Sequence, residues 1–398
     1  MGGRLVPGSD RARRAVVAIG GVGLAVVIAL AVAGSLDRAA IGPAPVSASP
    51  GEPVGSPSVS AAPGLFVPDL NPGASAQLAE LRSAGSTADA RLLQAMLRVP
   101  ASTWFGGGLP ADVEREVRAV MARSGDAVPV LVAYNVPGRD CAQYSAGGAQ
   151  TGDAYRAWIQ GFAAGTADRR VVIILEPDGL ALQPTDCGQP DTFGRAALIG
   201  DALDTIRAAN PAAAIYLDAG HSAWHTAADM ARRLVRAGVR RATGFFLNAS
   251  NYRATADLVA YGTQISACIG SADPAGECGG GTGGASGPPL AGGTPFVIDT
   301  SRNGQGPWTP TATYPDAQDW CNPPGRGVGL RPTLATGVPL VDAYLWIKIP
   351  GESDGTCTRG GSAGSPDPEW DRIDPVAGQW FPEQALELAR LANPPLTP

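Results

Sequence analysis

Residues able to exchange protons recur in this sequence just after short apolar runs. Asn135 and Asp140 follow one such run, Glu176 and Asp178 the next, then Asp218 and His221, Asn248 and Asn251, Asp299 and Arg302, and finally Lys348 with Glu352 and Asp354. Lys348 is the one lysine among 30 basic residues, and it sits inside a carboxylate-rich segment. Carboxylates crowded together push their pKa values apart, so one holds its proton while another stays ionised. Such a set suits acid and base catalysis on a neutral, polyhydroxylated substrate, and cleavage of a glycosidic bond has this requirement. Trp224, Trp308 and Trp320 lie in or beside the same segments and offer faces on which sugar rings stack, while Arg139, Arg302 and Lys348 offer donors to hydroxyls. Only two histidines occur and no CxxC, so neither a metal nor another cofactor is expected. No GxGxxG opens a helix after the first strand and GxxxxGK[ST] is absent, which leaves nucleotide binding without support.

The elements that must carry these residues follow from periodicity. Apolar, β-branched or aromatic runs at 103–105, 128–136, 171–175, 214–217, 244–247, 295–298 and 341–347 read as strands. Amphipathic stretches such as 154–164, 194–209 and 227–237 read as helices between them. Alternating strand and helix predicts a parallel α/β fold, either a barrel or a doubly wound sheet. The polar residues decide for the barrel, because there the C-terminal ends of all strands converge on one mouth. Trp104, Trp158 and Trp346 sit inside strand or helix patterns and are assigned to the core. Asp299 and Arg302 are expected to form an ion pair that shapes their loop.

Composition bounds the setting. The chain has 398 residues, 44% hydrophobic and 17% charged, which excludes a disordered or fibrous protein. The net charge of −6 comes without a basic stripe, so nucleic acid is not an expected partner. Residues 1–40 hold Arg4, Arg11, Arg13 and Arg14 before an apolar run at 15–33, which reads as an export signal or an uncleaved membrane anchor. Residues 41–64 are rich in Pro, Ser and Ala and read as a linker; residues 65–398 form the folded catalytic domain. A secreted or cell-surface protein, acting as a monomer, is expected. Six cysteines, Cys141, Cys187, Cys268, Cys278, Cys321 and Cys357, fit that oxidising location and allow fifteen pairings. Cys268 and Cys278 flank a short Gly- and Pro-containing loop and are expected to pair locally.

Seven segments in order carry a family resemblance: YNVPGRDCAQYSAGG at 134–148, ILEPDGLAL at 174–182, YLDAGHSAWH at 216–225, NASNYRATAD at 248–257, VIDTSRNGQGPW at 297–308, WCNPPGRGVG at 320–329 and WIKIPGESDG at 346–355. Together they resemble glycoside hydrolase family 6, the inverting β-1,4-glucanases, and are most similar to its actinobacterial endoglucanase branch. The resemblance implies a distorted, seven-stranded parallel α/β (TIM-like) barrel with the cleft at the C-terminal strand ends, and a β-1,4-glucan as substrate. It implies Asp178 as general acid, Asp140 as the partner that raises its pKa and helps order the attacking water, and Asp354 as base. It implies substrate contacts from Tyr134, Lys348 and Glu352, stacking platforms in Trp224 and Trp320, and a cleft lined by Asp218, His221 and Asn251. The family's disulfides imply Cys141 with Cys187 and Cys321 with Cys357.

Departures from the family are also expected to matter. Leu78 stands where relatives carry a tryptophan at the far glycone end, Ala227 where fungal cellobiohydrolases carry a second one, and 271–293 reads as an insertion. Loops of intermediate length favour an open cleft and internal cuts. The alternatives are a cellobiohydrolase acting at chain ends, or a non-hydrolytic glucan-binding wall protein, against which the intact carboxylates argue. Absence of a separate binding module points to soluble or amorphous glucan rather than crystalline cellulose.

Overall fold

The computed structural model describes residues 64–270 and 293–397. Eight α-helices and seven strands occur among them, in the order α1 (Pro72–Ser83), α2 (Thr87–Leu97), β1 (Thr103–Phe105), α3 (Pro110–Arg123), β2 (Val130–Ala133), α4 (Gly152–Thr166), β3 (Val171–Leu175), α5 (Arg195–Ala209), β4 (Ala213–Asp218), α6 (Ala227–Ala237), β5 (Gly244–Leu247), α7 (Thr255–Gly270), β6 (Phe296–Asp299), β7 (Val341–Leu345) and α8 (Pro382–Arg390). The strands form one parallel sheet in sequential order β1 to β7. All seven strands expected from the sequence are present; those at 103–105, 171–175 and 244–247 keep the expected bounds and the other four differ by one to three residues at an end.

Burial on both faces explains why runs such as VVIIL at β3 carry no polar residue. Side chains alternate across each strand, and the two sets go to two different cores. Leu131, Ile173, Leu217, Phe245, Phe296 and their same-face neighbours pack outward against the helices, with Trp158 and Phe162 of α4 among their partners. Val132, Ile174, Tyr216, Phe246, Val297 and Leu345 meet instead in one inner cluster, to which Trp104 of β1 adds its ring. Inner faces drawn from β1 through β7 reach one another only because the sheet curls around them; in a flat sheet they would be spread along one face. Among the described residues β1 and β7 form no ladder. Their seam is stitched by the Ser102 amide donating to Trp346 O at 3.0 Å, the Ser102 hydroxyl donating to Ile347 O and Trp104 Nε1 donating to the same carbonyl at 2.7 Å. A third core of Leu78, Leu93, Met96, Trp346, Trp380 and Leu388, drawn largely from α1, α2 and α8, packs beside this seam. Leu78 therefore belongs to a core and does not stand in for a cleft platform.

The strand ends are strained where the polar residues sit. Asp140, Cys141, Glu176, Asp178, Asn248 and Ser250 all have φ between 46° and 69°. Each such L-residue costs ~1–2 kcal/mol, a cost that persists only where surrounding contacts enforce it. The Cys141–Cys187 disulfide, which joins the loops after β2 and β3, does part of this; a second disulfide, Cys321–Cys357, joins the loops after β6 and β7. Both pairings match those implied by the family resemblance. The expected Cys268–Cys278 bridge, the insertion, the export or anchor segment and the linker involve residues outside the described ones. No helix among the described residues is long and apolar enough to cross a membrane.

Candidate active site

A cleft of about 420 Å³ opens at the C-terminal strand ends, within the range usual for ligand sites. The loop after β2 lines it with Tyr134, Arg139, Asp140 and Tyr144, the β3 end with Asp178, the β4 loop with Trp224, the β5 loop with Asn251, the β6 loop with Trp320, and the β7 loop with Lys348, Glu352 and Asp354. Nine of the eleven catalytic or substrate-binding residues singled out in the sequence thus share one cavity.

Asp218 and His221 do not line it. The Asp218 carboxylate accepts the amides of Leu180 at 3.1 Å, Ala181 at 2.7 Å and Gly220 at 3.1 Å, and is sequestered behind Asp178 as the holder of that loop. His221 is buried under Trp224, ring centroids 4.4 Å apart, with Nδ1 accepting from the Ala223 amide. Trp308 is buried as well, its ring under the Arg359 guanidinium, so it is no sugar platform. Trp104 departs in the opposite direction. It lines the cleft, edge-on to Tyr134 at 5.3 Å, because β1 is the short strand at the seam and its inward position opens on the mouth.

The carboxylates are held in different protonation states. Asp178 lies well above the usual carboxylate range, first because burial disfavours its charge, then because Asp218 and Asp140 are negative neighbours. The Tyr134 hydroxyl donates to Asp178 Oδ2 at 3.5 Å. Asp140 rises to about 6 by burial, moderated by the Ser145 amide that donates to its Oδ2 at 2.6 Å and by the charge of Arg139. Asp354 is the converse. Burial alone would raise it, but Arg302 Nη1 at 2.8 Å and Lys348 Nζ at 3.5 Å, with donors from the Asn322 amide at 3.0 Å and the Tyr252 hydroxyl at 3.3 Å, hold it below the usual range. Arg302 therefore pairs with Asp354, not with Asp299. Asp299 is taken by the amides of Ser250, Ser301, Ile347 and Lys348 and fixes three strand ends at once. Three of the four donors on Asp354 reach Oδ2, and Lys348 faces Oδ1.

On the other lining surface, Glu352 accepts from Asn71 Nδ2 at 2.9 Å, and Lys348 donates to Ser353 O at 3.0 Å. Tyr144 meets Trp320 at 6.0 Å and its hydroxyl accepts from Gln318 Nε2 at 3.2 Å, which joins the loops after β2 and β6.

The family model of glycosyl hydrolases family 6 matches residues 62–392. Endoglucanase A of Thermobispora bispora is 38% identical over 302 residues, 75% of this chain and 56% of that protein. Endoglucanase 1 of Streptomyces sp. (strain KSM-9) is 38% identical over 295 residues, 73% of this chain and 69% of the relative. The chain thus spans little more than half the length of the Thermobispora protein. Among solved structures, the endoglucanase Cel6 from Mycobacterium tuberculosis in complex with methyl-cellobiosyl-4-deoxy-4-thio-β-D-cellobioside aligns with a TM-score of 0.66 at 38% identity, covering 83% of this chain and 98% of that one.

Proposed function

The chain belongs to glycosyl hydrolases family 6, and from that premise we propose that it hydrolyses β-1,4-glucosidic bonds within glucan chains, with inversion at the anomeric carbon. The observation on which this rests is a carboxyl group kept protonated, Asp178, in one cleft with a carboxylate kept ionised, Asp354. Asp178 donates its proton to the glycosidic oxygen as the bond to the anomeric carbon breaks. A water attacks that carbon from the opposite face, and its proton passes to Asp354. An inverting reaction needs room for that water, roughly 6.5–9.5 Å between the two groups.

Asp354 is a weak base for its position, because its low pKa lowers its drive for the proton; what Arg302 and Lys348 supply instead is a site that is always in the basic form. Asp140, raised to about 6, carries negative charge beside Asp178 above that pH and receives hydrogen bonds from the water. Tyr134, Asn251, Lys348 and Glu352 contact hydroxyls, and Trp224, Trp320 and Trp104 stack on pyranose faces, their π-faces matching the apolar C–H faces of the sugar. Asp218 and His221 act by holding Asp178 and Trp224. The two disulfides fit an oxidising compartment. We take the protein to be exported, held at the surface or released according to the fate of residues 15–33, and to act as a monomer.

One observation favours a second mode. The Tyr144–Trp320 contact joins two lining loops, and loops that meet over a cleft favour chain-end attack with release of cellobiose. Viscosity loss against reducing-end release on carboxymethylcellulose decides. Fast thinning with few new ends is expected; slow thinning with steady soluble disaccharide would replace internal cutting by the chain-end mode.

A further inference from the structure

Beneath the cleft floor lie two buried ionisable side chains that the hydrolysis does not use. Arg195, at the first position of α5, is 1% exposed, and Glu176, at the end of β3, is 0% exposed. Arg195 Nη2 donates to Pro137 O at 2.6 Å and Gly138 O at 3.2 Å, and Nη1 to Gly179 O at 3.4 Å. Pro137 and Gly138 lead directly into Arg139 and Asp140; Gly179 follows Asp178. Glu176 completes the arrangement from the other side. Its carboxylate accepts the Asn135 amide at 2.9 Å and the Val136 amide at 2.9 Å, the first residues of the loop that carries Asp140. Tyr155 of α4 stands beside it and Arg139 faces it.

We propose that Arg195 and Glu176 are positioning residues, a buried bracket that fixes the spacing between the Asp140 loop and Asp178. Two independent ties cross the gap between β2 and β3, one from each side chain: that of Arg195 ends within three residues of Asp140 and beside Asp178, and that of Glu176 reaches four and five residues before Asp140 from a position two before Asp178. The guanidinium suits the task, since its planar fan of donors meets three carbonyls at once where an ammonium offers a point charge. The bracket also helps to hold Asp140, Glu176 and Asp178 in the left-handed region, beside Gly138 at φ 63°.

This inference rests on Asp178 being the general acid, and it carries a consequence that plain stabilisation lacks. The groups facing Asp178 are Asp218 from the β4 end, Asp140 from the β2 loop, Asp354 from the β7 loop and the Tyr134 hydroxyl. Loosening the bracket lets the Asp140 loop withdraw and removes one negative neighbour, while Asp218 and Asp354 stay. Asp178 then loses its proton at lower pH, and the alkaline limb of kcat/KM, which reports the acid in the free enzyme, moves with it.

The test compares the full chain with Arg195→Gln, Arg195→Lys and Asp178→Asn on carboxymethylcellulose from pH 4 to 9, with thermal unfolding measured alongside. We expect Arg195→Gln to shift the alkaline limb down by about half a unit to one unit and to lower kcat by ~10-fold, with KM within about twofold, and Arg195→Lys to recover part of both effects. Folded Arg195 variants with the wild-type limb and kcat would overturn the bracket; should Arg195→Gln not fold, Arg195→Lys decides by the same criterion. Wild-type turnover in Asp178→Asn would overturn the acid assignment separately, whatever the Arg195 variants show.

Discussion

Replacing Arg302 by Met tests how the cleft keeps Asp354 ionised. The guanidinium is fully buried and the carboxylate nearly so, 2.8 Å apart, and Arg302 also lies over the Tyr252 ring at 4.4 Å and donates to Ser250 O at 2.5 Å. Breaking a buried pair from one side leaves an uncompensated charge, which costs ~3–5 kcal/mol. For a domain of this size that corresponds to a fall in Tm of roughly 4–7 °C. Desolvation, the main influence on Asp354, then acts against Lys348, the Asn322 amide and the Tyr252 hydroxyl without the guanidinium, so its pKa rises. The sign follows: with the pKa depressed, the ion pair stabilises the fold at all pH above the unfolded value and is lost only in acid; without Arg302 that contribution is gone at neutral pH. The acid limb of kcat/KM that this group sets in the parent moves to higher pH in the variant. In Arg302→Met/Asp354→Asn the orphaned charge is gone, and we expect ~2 kcal/mol of stability to return without activity. Stability comes from calorimetry and the limb from initial rates. An unmoved acid limb in a folded Arg302→Met, or a double variant no more stable than the single, would refute the assigned role of the pair.

Trp104→Ala removes a stacking face from the cleft, and kcat/KM on soluble glucan should fall ~10-fold, mostly through KM; an unchanged KM would return Trp104 to the core. Stability should also depend on pH with an unusual sign. Burial raises Asp140 to about 6, and Glu176 and Asp374 to about 7. Each holds a proton in the folded chain where the unfolded chain has lost it, so stability declines as pH rises from about 4 to about 7 and then levels off. Each unit of raised pKa is worth ~1.4 kcal/mol, so Tm should stand several degrees higher at pH 5 than at pH 8. A Tm that is flat or rising over that interval would contradict these three assignments.

The strands were legible because a parallel sheet buried on both faces writes itself as unbroken apolar runs, as at VVIIL. The barrel was legible because polar residues follow those runs. Less accessible was which way a residue at a strand end turns. Asp218 and His221 stand at the right height along the chain, yet backbone amides from 180, 181 and 220 capture the first, and Trp224 covers the second. Trp104 packs on the inner cluster, as an aromatic residue inside a strand usually does, and only the seam at β1 also turns it to the mouth. The pairing of Arg302 with Asp354 spans 52 residues, and the ties of Arg195 to Pro137 and Gly138 span 58 and 57. Neither leaves a local signal, since no periodicity or turn chemistry couples such distant positions.

The most direct test follows the anomeric configuration of the first product by proton NMR during hydrolysis of a soluble cello-oligosaccharide, with Asp178→Asn beside the parent chain. A protonated Asp178 and a water delivered to the opposite face predict the α-anomer appearing first and mutarotating later, with turnover in Asp178→Asn reduced by ~10²-fold or more. Initial formation of the β-anomer, or undiminished turnover in Asp178→Asn, would contradict the account.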